Sequence, residues 1–188
     1  MLHTVETPAT LIVRVAAGDA RAFTTLVGQL HGSGLRIATR VAGDRAEAED
    51  ALQGALTRLW TEAGRFDPTK GSVGGWFRRI VVNQCLDRRR RLKLVAPIEA
   101  AANVASDLPD PFASASANAR ARRVDAAMAM LGPRQRAAIT LFHGEGASMA
   151  EVAAALDTTP KAVEGLLARA RSELSRLLAS DRPEARDE

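Results

Sequence analysis

The segment from Ser148 to Leu174 leaves the backbone fewer choices than any other stretch of the chain. Ser148 opens it with Glu151 three residues on, a pair able to satisfy each other's free N–H groups as a capping box. Val152, Ala155 and Leu156 then share one face of a short helix. Asp157, Thr158 and Thr159 interrupt it as a three-residue turn. Thr159 is a good N-cap, and Pro160 suits the first helical position, where its missing N–H costs nothing. Val163, Leu166, Leu167, Ala170 and Leu174 give the second helix an apolar stripe. A short capped helix, a tight turn and a longer helix make a helix-turn-helix. In that motif the first turns of the second helix enter the DNA major groove. Lys161, Ala162, Glu164 and Gly165 then face bases, Thr158 and Thr159 lie near phosphates, and Arg169 and Arg171 reach backbone. A helix pair packed purely for stability has the same spacing, so both readings stand on this motif alone.

The rest of the chain keeps the helical period. No segment alternates apolar and polar residues convincingly, and Tyr is absent while Trp and Phe number two and five. Aromatic and β-branched residues are the usual strand material, so the fold class is all α. Upstream of the motif, Val124, Ala127, Met128 and Leu131 form a stripe closed by Gly132 and Pro133. A further helix then buries Ala138, Leu141 and Phe142 and breaks at Gly144 and Gly146. Towards the N-terminus, a short helix from Ala9 breaks near Gly18. Asp19 caps the next, which presents Phe23, Leu26, Val27 and Leu30 and runs to about Val41. Asp44 and Glu47 start a third, with Ala48, Ala51, Leu52, Ala55, Leu56, Leu59 and Trp60 as its stripe. After a loop from Gly64 to Gly71, Ser72 caps a fourth that buries Trp76, Phe77, Ile80, Val81 and Cys85. Residues 93–118 are rich in Ala, Ser, Asp and Pro, with too few large apolar groups to offset the entropy of ordering them. The reading is two small helical domains, 1–92 and 119–180, joined by a flexible linker over 93–118, with an acidic tail at 181–188.

Charge points to a polyanion partner at a defined face. The net charge is only +4, yet Arg78 to Lys93 holds seven basic residues and one acid, while 181–188 holds four acids and two arginines. Arg88 to Arg91 cover every side of one helical turn, and cations at a helix C-terminus are favourable without any ligand. The lone Cys85 excludes an intramolecular disulfide and, on an apolar stripe, reads as a buried structural thiol. No apolar run spans a bilayer and no signal pattern opens the chain, so a cytoplasmic protein without membrane insertion is expected. His3, His31 and His143 share no metal-ligand spacing, and the glycines near Gly74 lack the Lys and preceding strand of a phosphate loop. No catalytic residue, metal or cofactor is expected.

At this point the residues resemble a family. AEDALQGALTRLW, from Ala48 to Trp60, resembles the core-binding helix of extracytoplasmic-function (ECF) sigma factors of RNA polymerase. FDPTKGSVGGWFRRIVVNQCLDRRRR, from Phe66 to Arg91, resembles their promoter-melting and minus-10 segment. LGPRQRAAITLFHGEGASMAEVAAALDTTPKAVEGLLARARSEL, from Leu131 to Leu174, resembles their minus-35 reader. The three follow the family's order and cover most of both domains. The resemblance implies that Glu49, Asp50, Gln53 and Leu56 dock on the clamp helices of the polymerase's largest subunit. It implies minus-10 promoter DNA contacts from Arg65, Asp67, Lys70, Arg78, Arg79, Asn83, Arg88 and Arg90. It also implies minus-35 contacts from the second helix of the motif and an anti-sigma factor as a further partner. Trp76 is a tempting stacking platform, but its stripe position favours core. Gly54 stands where the family usually has an acid, Leu56 where an aromatic is common, and Gly165 where Ser is frequent.

A free-standing helix-turn-helix regulator that binds an operator as a dimer explains the second domain equally well. It does not explain the AEDALQ helix or the basic helix beside Trp76, and no long dimerisation helix is legible.

Overall fold

The computed structural model describes residues 6–95 and 115–180, which form helices and turns with no strand among them. Residues 96–114 of the linker and the tail at 181–188 lie outside the described residues. The first region holds α1 (Pro8–Ala16), α2 (Ala20–Ala42), α3 (Arg45–Thr61) and α4 (Val73–Val95). The second holds α5 (Ala115–Met130), α6 (Pro133–Ile139), a π-helical turn (Thr140–Gly144), α7 (Met149–Ala155) and α8 (Pro160–Ser180). Helix thus continues into both ends of the block read as linker.

The caps form where the sequence places them. Asp19 Oδ1 accepts from the Arg21 and Ala22 N–H groups, and Asp44 Oδ1 accepts from that of Glu47. Those N–H bonds, with Arg14 at 2.7 Å, hold the Asp19 carboxyl below the usual range. The Ser72 hydroxyl accepts from the Gly75 N–H at 3.1 Å. Glu47 does not reach back to complete a capping box at Asp44; its carboxylate takes Arg88 of α4 at 3.1 Å instead.

Three helices of the first region converge at one point. Phe77 of α4 is fully buried, contributing about 1.5–3 kcal/mol by its transfer from water. It fits because Gly34 of α2 has no side chain: a Cβ there would lie 2.8 Å from both Leu52 Cδ1 and Phe77 Cε1. The same core holds Leu26, Ile37, Val41, Leu59, Val81 and Val82. Trp60 departs from its expected place. Its stripe neighbours Ala48, Ala51, Leu52, Ala55 and Leu59 fill the interior, while Trp60, 38% exposed, stands edge-on to Phe23 of α2 at 5.1 Å.

In the second region Val152, Leu156, Val163, Leu167 and Ala170 are buried where α8 packs against both α6 and α7. The turn after α6 is π-helical because the Glu145 N–H reaches the Thr140 carbonyl, five residues back. Val124 lies on the expected stripe but is exposed.

The two regions share one continuous core. Helix α6 and the π turn lie against α2, and α7 lies against α4. At the seam, Gly43 ends α2 with φ +77°, and a Cβ there would lie 2.5 Å from Nη1 of Arg136 in α6. Arg136 is 1% exposed; its Nη1 donates to the Ala129 carbonyl at 3.4 Å, and its Nε and Nη2 have no partner among the described residues. Burial, then the nearby Arg89 charge, pull its pKa down to about 10. Cys85 lies in the same seam, and burial pushes its thiol up to about 12.

Two outcomes follow from this packing. Gly34→Ala should cost about 1–3 kcal/mol by overpacking, whereas Gly28→Ala, with open space around its Cβ, should gain about 1 kcal/mol; urea melts followed by helical circular dichroism check the opposite signs. Cys85 should not react with a disulfide dye at pH 8 until the protein is unfolded, because thiolate is scarce and covered. Above the ordinary thiol pKa the unfolded chain ionises first, so stability should fall as pH rises from 9 towards about 12.

Candidate nucleic-acid interface

The loop between α3 and α4 is folded by its own polar groups. Asp67 Oδ1 accepts from the Thr69 hydroxyl at 2.6 Å and the Thr69 N–H at 3.0 Å, which hold its carboxyl below the usual range. Lys70 Nζ lies 3.3 Å from the same carboxylate. Arg65 and Lys70 project into solvent at 79% and 82% side-chain exposure. Behind them Phe66 tilts onto Trp76, ring centres 5.7 Å apart.

These groups wall a cleft of about 300 Å³. Arg65, Asp67, Lys70, Arg78 and Arg79 all line it, so five of the eight residues predicted for the minus-10 set meet in one place. Trp76 also lines it, half-buried against the core and beside Phe66. Sequence periodicity assigned Trp76 to the core, and no sequence signal marked Phe66 as its partner. The opposite wall comes from the second region, through Leu141, Ala147, Glu151, Ala154 and Ala155.

The other three do not line the cleft. Asn83 is half-buried one turn further along α4. Arg88 ties α4 to α3, with Nε 3.1 Å from Glu47 and Nη2 2.7 Å from Asp50. Arg90 pairs with Asp87 at 3.4 Å. Arg89, between them, donates to the Ala42 carbonyl at 2.7 Å and closes the C-terminal turn of α2. The basic run is thus divided between holding helices together and facing solvent.

On α3, Glu49, Asp50 and Gln53 are exposed and Leu56 is half-buried against the core. Glu49 pairs with Arg45 at 2.8 Å, so each acid of this face already has a cation beside it. Asp50, Gln53, Thr57 and Trp60 follow one another at helical spacing and are all exposed. At Gly54 the Gln84 side chain of α4 closes in, 3.0 Å from where a Cβ would stand, which leaves no room for an acidic side chain without displacing it.

The helix-turn-helix forms as its spacing predicts. Ser148 and Glu151 make the reciprocal box, with the Glu151 N–H donating to Ser148 Oγ at 3.2 Å and the Ser148 N–H to Glu151 Oε2 at 2.8 Å. Asp157 takes a left-handed backbone, φ +49°, to turn the chain, and the Thr159 hydroxyl accepts from the Ala162 N–H. Thr159, Lys161, Ala162, Glu164, Arg169 and Arg171 are exposed, Thr158 and Gly165 half so. Lys161 pairs with Glu164 at 2.9 Å, which raises the lysine's pKa. The Arg169 guanidinium folds over Gly165, 3.4 Å from where a Cβ would stand, an ordinary contact distance.

Both regions are similar to known proteins. Residues 26–94 match Sigma-70 region 2, and residues 121–174 match Sigma-70, region 4. The ECF RNA polymerase sigma factor SigM of Mycobacterium tuberculosis is 35% identical over 173 residues, covering 90% of this chain and 84% of that protein. The RNA polymerase sigma factor CnrH of Cupriavidus metallidurans is 34% identical over 181 residues, covering 91% and 94%. The solved structure of CnrH with the cytosolic domain of CnrY aligns over 92% of this chain and 97% of that one, with a TM-score of 0.64 and 31% identity. The sigma factor RpoE of Bartonella quintana, solved with the anti-sigma factor NepR, shares the fold at a TM-score of 0.72 and 22% identity, over 87% of this chain and all of that one.

Two helical regions of these kinds, in this order, define a sigma-70-type subunit of RNA polymerase. Within that class the chain belongs to the ECF sigma factors, which join core polymerase and direct promoter-specific transcription initiation. The reading as a free-standing operator-binding regulator gives way, since the match extends over the first region as well as the helix-turn-helix.

Proposed function

We propose that the cleft between the 62–72 loop and α4 captures the melted minus-10 strand, with Arg65, Lys70, Arg78 and Arg79 on its phosphates. A base freed from the stack finds an aromatic surface in Phe66 and Trp76. Capturing it shifts the melting equilibrium with no chemical step. The observation that carries this reading is that five residues chosen from sequence converge on one basic cleft with an aromatic wall. Asp67 acts through the loop, since both its oxygens are engaged in holding Thr69 and Lys70.

In the same reading Glu49, Asp50 and Gln53, backed by Leu56, dock on the clamp helices of the largest polymerase subunit. Lys161, Ala162, Glu164 and Gly165 enter the major groove at the minus-35 element, with Thr158, Thr159, Arg169 and Arg171 towards backbone. Arg88 serves the α3–α4 junction rather than DNA, because its guanidinium is taken by two carboxylates. The protein works in the cytoplasm and catalyses nothing itself. No described helix is long and apolar enough to cross a membrane. An anti-sigma factor is its partner when inactive, as NepR is for the Bartonella protein.

The deciding experiment is run-off transcription with sigma-free core polymerase and genomic templates. Discrete transcripts should appear only when this protein is added. Silence together with no co-elution with core would overturn the reading. Arg79→Ala should lower open-complex formation about tenfold while core binding, by co-elution, stays within about twofold; an equal loss of both removes Arg79 from the strand cleft. Lys161→Ala should weaken minus-35-dependent promoters and lower the salt slope of binding by about 1. Unchanged activity on such promoters removes Lys161 from the groove.

A further inference from the structure

The first turns of α8 offer few groups to a base edge. Of the four residues assigned to the groove, Ala162 and Gly165 carry no polar side-chain atom. The Thr159 hydroxyl just before them is engaged in capping, accepting from the Ala162 N–H at 3.2 Å. The Arg169 guanidinium lies back over Gly165, and Ala162, Gly165 and Arg169 follow one another along one flank of the helix. Lys161 and Glu164 remain, three residues apart and so neighbours on the other flank.

Their side chains are 91% and 55% exposed, and Lys161 Nζ donates to Glu164 Oε2 at 2.9 Å. A solvent-exposed pair of this kind adds little to stability. An acid on a surface that approaches phosphates also weakens binding, unless the DNA offers it a donor. The major groove does offer one, on the exocyclic amino groups of cytosine and adenine.

The ion pair matches the edge of a base pair in spacing and in order. It presents a donor and an acceptor side by side, 2.9 Å apart. A G·C pair presents the complement, since guanine O6 accepts and the cytosine N4 amino group donates. Those two atoms are hydrogen-bonded to each other, about 2.9 Å apart. With Lys161 Nζ on O6 and Glu164 on the free N4 hydrogen, four polar groups close a ring in which every hydrogen meets an oxygen. Guanine N7 gives the ammonium a second acceptor. The other pairs fit less well. C·G and A·T reverse the order and set the carboxylate against an oxygen. T·A keeps the order but puts the thymine methyl where guanine has N7.

We propose that the Lys161–Glu164 ion pair reads one G·C base pair of the minus-35 element, with Lys161 on guanine and Glu164 on the cytosine amino group. Glu164 is then a specificity-determining residue. This rests on the groove reading of α8 above and names the base pair it takes.

The test uses holoenzyme assembled from core polymerase and the full chain, on a minus-35-dependent promoter found by run-off. Each position of the element is changed in turn to all four base pairs. Wild type should show one position at which G·C initiates best, T·A follows, and C·G and A·T are lower by about tenfold or more. Glu164→Ala should bring C·G and A·T to within about threefold of G·C there, and leave the ranking at the other positions as it was. Loss of a negative charge alone predicts a uniform gain at every position instead. N4-methyl-deoxycytidine at that position keeps Watson–Crick pairing but replaces the hydrogen that Glu164 accepts. It should lower wild-type initiation about fivefold or more and change Glu164→Ala by less than about twofold. An unchanged ranking in Glu164→Ala overturns the proposal, and so does equal sensitivity of the two proteins to the methyl group. A position flattened by Glu164→Ala at which wild type preferred another base pair overturns it as well. Failure of the groove reading is seen separately, when Lys161→Ala keeps full activity on minus-35-dependent promoters.

Discussion

The first region depends on one contact, the edge of Phe77 entering the space that Gly34 leaves between α2 and α3. Helices pack at a distance set by the side chains between them. Where Gly34 removes one, three helices come together around a single ring. That approach fixes where α4 runs. It thereby sets the height at which Trp76, Arg78 and Arg79 face the loop, and the position of the seam beside Cys85. A longer side chain at position 34 would move α4 as a unit, and the cleft with it.

Charge is used twice in this protein, and the structure divides the two uses. Arg14, Arg88 and Arg89 are spent on joining elements, through Glu6 and Asp19, through Glu47 and Asp50, and through the Ala42 carbonyl. Arg65, Lys70 and Arg79 remain exposed around an aromatic wall. The acids follow the same division. Asp67 and Asp44 organise backbone, while Glu151 both caps α7 and reaches across to Arg78. A basic group here is therefore available to a partner according to its exposure, since even Arg65 and Lys70, the most open of the three, have an acid beside them.

Much of this was legible beforehand because it is local. Capping pairs, proline at a first helical position and apolar stripes involve residues within one or two turns, so Asp19, Ser72, the Ser148–Glu151 box and Pro160 behave as their spacing predicts. The helix-turn-helix was legible for the same reason. Trp60 was not, because a ring at the margin of a stripe is buried or exposed according to what the next helix brings; Trp76 packs against the core as its stripe position predicts, but also lines the cleft. Phe23 stands against one and Phe66 against the other. Arg136 left a faint signal: it shares a helical face with Ile139 and Thr140, which are buried, so its phase placed a cation on an inward side.

The sequence by itself determined the helices, their caps, the helix-turn-helix and the family of the protein, because each is written in residues close together along the chain or in motifs kept in order. Only the tertiary structure decided which arginines are free, that Phe66 and Trp76 share a wall, and that the second region lies over the cleft of the first. The first and last of these depend on contacts between residues far apart in sequence, such as Arg88 with Glu47 and Arg78 with Glu151, and the second on how the loop between Phe66 and Trp76 folds back. The energy of such a contact depends on burial and on the partner's geometry, neither of which local spacing encodes.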